Sequence, residues 1–212
     1  FVPVFHSWFF GTGLRSLAAF LGGREQVPAL LQHSAGRDIS VIEGVMGYYD
    51  GLAGTSSENS TADIARLTQS PTVLVVSAKG MSLTLAALLR GFLQFEQNTI
   101  RGVILNGISP RMTDYYAGIV EQNTGLSVFG AMPTDAACAV ESRHLGLVTA
   151  GEIQNLKQKM QALARHARDG LQLDALLALA RTAPELQEQL PPVPVCGTGL
   201  RIGVARDEAF CF

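Results

Sequence analysis

The chain has 212 residues, 47% of them apolar, which is enough for one full domain with a sizeable core plus an extension. A formal net charge of −2 argues against a nucleic-acid-binding face or a polybasic membrane patch, and no apolar run reaches the roughly 18 residues that cross a bilayer. Cys138, Cys196 and Cys211 lie far apart with no Cys-x-x-Cys pair, so the cysteines predict neither a zinc frame nor a disulfide frame.

In chain order, the aromatic start from Phe1 to Phe10 lacks both a cationic flank and a small-residue cleavage site, so it reads as neither signal peptide nor anchor. Ile39 to Ile42 reads as a buried strand that delivers Glu43 to a ligand crevice, because open parallel sheets bind ligands at the carboxyl ends of their strands. Gly44 and Gly47 would let the backbone approach a ligand closely, and Asp50 before Gly51 adds a second carboxylate; an ordinary turn is the plain alternative. Ser60-Thr61-Ala62-Asp63 predicts a helix opening on a hydroxyl cap. Further apolar, β-branched runs at Thr72 to Val76, Val103 to Leu105 and Val128 to Met132 predict strands. Between them, Met81 to Phe95 and Asp114 to Thr124 predict helices, the second ended by Gly125.

Strands alternating with helices predict βαβ units, a parallel sheet with right-handed crossovers, and helices over both faces: an α/β, doubly wound domain. From Glu152 an apolar stripe of Ile153, Leu156, Met160, Leu163 and Ala167 predicts an amphipathic helix, with a second helix from Leu173 to Arg181. Pro184, Pro191, Pro192, Pro194, Gly197 and Gly199 then predict an interdomain linker before a last strand. The organisation expected is a domain over residues 1–181, a linker over 182–199 and the start of another domain at 200–212.

The stretch Glu43-Gly44-Val45-Met46-Gly47-Tyr48-Tyr49-Asp50-Gly51 resembles the Glu-Gly-Val-Met-Gly-(aromatic)-x-Asp-Gly signature of the cobyrinic acid a,c-diamide synthase family. The resemblance continues in order through Gly54-Thr55, Ser60 to Asp63, Pro71 to Val76, Gly80-Met81-Ser82, Gly102 to Asn106 and Arg143-His144-Leu145-Gly146-Leu147. Upstream it includes Phe5-His6, Gly11-Thr12, Arg15, Leu17 and Phe20. It departs at Val2 and Ala18, where the family carries aspartates, and no Gly-Lys-Thr/Ser phosphate loop occurs in the sequence. The resemblance therefore implies a fragment: the phosphate-loop NTPase sheet of the dethiobiotin synthetase-like type, incomplete at its N-terminus. Leu200 to Phe212 would open a glutamine amidotransferase domain. Cys211 falls in that opening strand and is not expected to be the family's nucleophile.

The activity implied is an ATP-dependent ligase of cobalamin biosynthesis that amidates the a and c acetate arms of cobyrinic acid. A substrate carboxylate attacks the terminal phosphate to give an acyl phosphate, and ammonia from glutamine, released in the further domain, displaces phosphate. Glu43 is the expected Mg2+ ligand, since that ion takes one or two carboxylates plus substrate phosphates. The implied role of Asp50 is to orient the corrinoid carboxylate or the amine. Asn106, by its position, reads an adenine edge, with a turn residue as the alternative. Ser60 and Thr61 bind substrate or phosphate, or cap the helix; Arg143 meets phosphate or the corrinoid's carboxylate arms. His144, His6 and Trp8 are expected to be structural or pocket residues. The implied enzyme is cytoplasmic, with no nucleic-acid or membrane partner, and a homodimer is allowed. Two other readings stand beside it: a degenerate nucleotide-fold scaffold, and a related phosphate-loop ligase such as dethiobiotin synthetase.

Overall fold

The computed structural model describes residues 16–35, 39–44, 46–139, 155–187, 199, 201 and 203–205. It opens with two helices that the sequence patterns did not predict, α1 (Ala19–Gly22) and α2 (Val27–Ser34), joined by a 3-10 turn at Arg24–Gln26. Pro28 lies in the first turn of α2, where its missing N–H leaves no intrahelical bond unmade.

Residues 39–44 run without regular secondary structure, so the strand predicted at Ile39 to Ile42 is not formed. A strand in this setting needs a covered face, and here Val41 is 84% exposed. Ile42 reaches apolar packing, joining Leu17 and Leu67 against Ala19, Val27 and Ile64.

The predicted elements between Ser60 and Arg181 form close to their expected bounds, while most of the linker expected at 182–199 and of the last strand expected at 200–212 lies outside the described residues. The elements formed are α3 (Thr61–Leu67), β1 (Thr72–Ser77), α4 (Leu83–Phe95), β2 (Ile100–Asn106), α5 (Thr113–Thr124) and β3 (Ser127–Met132). After a 3-10 turn at Ala136–Cys138 come α6 (Leu156–Gly170) and α7 (Leu173–Ala180). Gly125 closes α5 in the left-handed region at φ 73°, which a residue without Cβ adopts at little cost.

The three strands are parallel in the order β1-β2-β3. Ser77 pairs with Asn106 and Asn106 with Met132, so the three carboxyl ends are level. Right-handed crossovers between successive neighbours put α4 and α5 on one side of the sheet, where they pack together. Leu85 and Leu89 of α4 and Tyr116 and Val120 of α5 form the core with Leu74, Val76, Val103, Leu105 and Val128. On the strand positions between those, Val75 is 66% exposed, so the described helices cover one face more completely than the other. At the β3 edge, Gly130 bridges antiparallel to Leu171, and Gln172 N donates to Phe129 O at 2.9 Å. A Cβ on Gly130 would overlap Gly170 O, which explains glycine there. Among the described residues no helix is long and apolar enough to cross a membrane.

One polar contact ties the loop before α3 to the end of α4. Glu96 accepts from Ser57 Oγ at 2.7 Å and from Arg66 Nη1 at 2.9 Å. The Ser57 hydrogen bond, with Arg66 second, holds the Glu96 carboxyl below its ordinary value of 4.5. A depressed carboxylate adds stability above its unfolded value, and that stability is lost as pH falls through the folded one. Thermal melts between about pH 7 and about pH 3 should therefore show the native chain losing midpoint faster than Glu96→Gln below the ordinary carboxylate range. Parallel curves for the two proteins would show that Glu96 contributes nothing through its charge.

Candidate functional site

The candidate loop is built on glycines that admit side chains. Asp50 N donates to Gly47 O at 2.9 Å, closing a tight turn around Tyr48 and Tyr49. A Cβ on Gly47 would overlap the Asp50 carboxylate, so glycine lets that carboxylate fold back over its own turn. A Cβ on Gly44 would stand 2.5 Å from Thr61 Oγ1, so this backbone passes directly over the first residue of α3. The two glycines predicted to approach a ligand thus make room for Thr61 and Asp50. Beyond the turn, Gly51 N donates to Ser56 O at 3.0 Å and Leu52 N to Glu58 O at 2.9 Å, knitting the loop to itself.

Two tyrosines anchor the turn. Tyr48 is buried in the main core, and its main-chain oxygen accepts from Ala62 N at 2.9 Å. Its hydroxyl is a buried polar atom without a hydrogen-bond partner among the described residues. Tyr49 donates through its hydroxyl to Phe92 O at 2.6 Å, and its ring lies 5.1 Å from that of Phe95. Burial pushes the Tyr49 phenol above its usual range, with Tyr48 adding to the effect.

The start of α3 is fixed by a buried carboxylate. Asp63, 1% exposed, accepts from both terminal nitrogens of Arg24 and from Asn59 N at 2.9 Å. Its own N–H donates to Ser60 Oγ at 3.3 Å, so Ser60, 2% exposed, is the helix cap. Of the two readings open for Ser60, the structure displays capping, and Thr61 is half-buried beneath Gly44. Asn59 adopts φ 61°, a left-handed conformation that asparagine tolerates better than most residues.

Glu43 and Asp50 are both exposed, before and after the Gly44 to Gly47 stretch. Asn106 lies elsewhere: it is exposed at the carboxyl end of β2, level with Ser77 and Met132. The turn carrying Asp50 packs instead, through Tyr49, on the last turn of α4, which leads into the amino end of β2. Arg143 and His144, with His6, Trp8, Val2, Cys196 and Cys211, lie outside the described residues.

Mg2+ takes hard oxygen donors and usually one or two carboxylates, and the exposed carboxylate of Glu43 beside the Gly44 backbone fits that requirement. Sequence reasoning passed over Asp63 as a structural centre. An acid three positions after Ser60 is a legible first-turn signal, whereas nothing local to Arg24 announces its partner. It also missed the pairing of Asp135 Oδ2 with His166 Nε2 at 2.7 Å. That hydrogen bond, with the Ala137 N–H second, holds the Asp135 carboxyl below its usual range.

Similarities to known proteins agree with this architecture. The model of the AAA domain family matches residues 17–142, consistent with a parallel α/β sheet of the phosphate-loop NTPase type. A cobyrinate a,c-diamide synthase of Clostridium tetani is 36% identical over 210 residues, covering 99% of this chain and 47% of that protein. Enzymes of the same name are 37% identical in Listeria monocytogenes, over 98% of this chain and 47% of theirs, and in Gloeobacter violaceus, over 99% and 47%. The chain spans about half the length of the curated relatives it matches. No solved structure matches significantly. The chain belongs to the AAA domain family, and along nearly its whole length it is similar to the cobyrinate a,c-diamide synthases.

Proposed function

We propose that this chain is the ATP-using part of a ligase that converts the a and c acetate side chains of cobyrinic acid to amides. The observation that carries the reading is the 36–37% identity to cobyrinate a,c-diamide synthases over alignments that cover 98–99% of the chain. A corrin acetate attacks the terminal phosphate of ATP, breaking the bond to ADP and forming an acyl phosphate. Ammonia drawn from glutamine then displaces inorganic phosphate and leaves the amide. Glutamine cleavage belongs to a further domain of the intact protein, which is cytoplasmic in this reading and allowed to act as a homodimer.

Each side chain has a separate task. Glu43 would hold Mg2+, which when bound neutralises phosphate charge. Gly44 and Gly47 bring main chain beside it. Asn106 reads the adenine edge, a role supported by its exposure at a strand's carboxyl end. Asp50 orients the corrin carboxylate or the incoming ammonia. Support comes from the anchoring of its turn on the last turn of α4, away from Asn106. Ser60 acts through the helix cap, Thr61 lies against the loop backbone, and Arg143 meets the carboxylate arms of the substrate.

In the intact enzyme, Glu43→Gln keeps shape and removes the charge directed at the metal. Turnover should fall by about 10²-fold or more with folding preserved. Equal activity of variant and parent across a magnesium series would remove Glu43 from the site.

Asp50→Asn in the intact enzyme should slow amidation and raise the share of singly amidated product, leaving nucleotide affinity within about twofold. A large loss of ATP affinity with an unchanged ratio of mono- to diamide would place Asp50 on the nucleotide instead.

A further inference from the structure

A second group of chemically able side chains lies beyond the loop, just past the end of β3. Asp135, Cys138 and His166 bring one ligand atom each to within 4.8 Å of one another. The turn Ala136–Cys138 is a 3-10 turn opened by Asp135, whose Oδ1 accepts from Ala137 N at 2.8 Å. Asp135 is the extended cap of this turn and Cys138 its last residue, and their ligand atoms converge within 4.8 Å. Helix α6 packs against this turn and supplies His166, whose Nε2 stands 2.7 Å from Asp135 Oδ2.

We propose that Asp135, Cys138 and His166 form a three-ligand site for a Zn2+-class divalent cation, with its fourth position open to water. A soft sulfur, a borderline imidazole nitrogen and one carboxylate oxygen make a donor set that suits Zn2+ and disfavours Mg2+ or Ca2+. All three residues are partly exposed, so an ion can reach the site from solvent. Ligand atoms around a tetrahedral Zn2+ stand about 3.4 Å apart. The ion therefore replaces the Asp135–His166 hydrogen bond: the neutral imidazole carries its proton on Nδ1 so that Nε2 offers a lone pair, and the thiol closes in and loses its proton to solvent. Arg165, next to His166 on α6, also acts on the Asp135 carboxyl and is the like charge the cation must tolerate. The cysteines by themselves predict no zinc frame, because here an aspartate takes the place of the second cysteine and the third ligand comes from a distant helix. A bound ion would pin α6 to the carboxyl-end edge of the sheet, just past the end of β3. This site is independent of the Mg2+ role given to Glu43.

The test is titration of the 212-residue chain, with Cys196 and Cys211 changed to serine, by Co2+ without oxygen and then by Zn2+. One equivalent of Co2+ should give a thiolate-to-cobalt charge-transfer band that Zn2+ removes. Cys138→Ser should abolish the band, and His166→Gln and Asp135→Asn should each weaken Zn2+ affinity at least tenfold, with unchanged far-ultraviolet circular dichroism. Absence of stoichiometric Zn2+ binding, or equal binding by folded His166→Gln and Asp135→Asn variants, would overturn the site and leave a simple His–Asp pair.

Discussion

The candidate loop depends on one buried carboxylate. Asp63 has almost no contact with water, and a charge in that position is tolerable only when its oxygens are met by donors. Arg24 meets both oxygens, the Asn59 N–H meets one, and Arg66 stands 3.5 Å from the other. Three separate parts of the chain are thereby fixed to one point: the turn between α1 and α2, the end of the loop, and the first turn of α3. Removing either member of such a pair leaves an uncompensated charge, which typically costs about 3–5 kcal/mol. Arg24 is 43% exposed, so its own loss is softened by water. The geometry of Gly44 over Thr61, and with it the position of Glu43, follows from this fixed helix start.

Two surfaces result. One is the carboxyl end of the sheet, where Ser77, Asn106 and Met132 stand level and the loop from Pro133 to Asp135 begins. The other is the shelf of Gly44 to Asp50, held from below by Tyr48 in the core and by Tyr49 on Phe92 and Phe95. In the proposed reaction a nucleotide phosphate and a large carboxylate substrate would need separate footholds, and Asn106 and Asp50 stand on different surfaces. On the second surface, the missing Cβ of Gly47 leaves the Asp50 carboxylate its space.

Most of the scaffold was legible because it rests on local signals. The β-branched runs Thr72 to Val76 and Val103 to Leu105 became strands because each finds a parallel neighbour and a helix to cover it. Ser60 and Gly125 marked helix ends because caps are chosen by one residue's hydrogen bonding or φ. Ile39 to Ile42 carries the same apolar signal yet leaves Val41 in solvent, since strand formation depends on partners that periodicity does not specify. Helix α2 was missed because eight residues with a proline near the start give a weak period. The candidate site was legible as a motif, in the residues from Glu43 to Asp50 with their glycines, whereas the contacts of Arg24 with Asp63 and of His166 with Asp135 join residues far apart in sequence and carry no local signal.

Amide hydrogen exchange of Asp63→Asn against the native chain tests the dependence of the loop on this carboxylate most directly. The variant should lose protection at the Leu52, Asn59 and Ala62 amides, which close the loop and join it to α3, while the β2 amides Val103 and Leu105 keep theirs. Unchanged protection at Leu52, Asn59 and Ala62 in a folded variant would contradict the account, because the loop would then hold its shape without the buried charge.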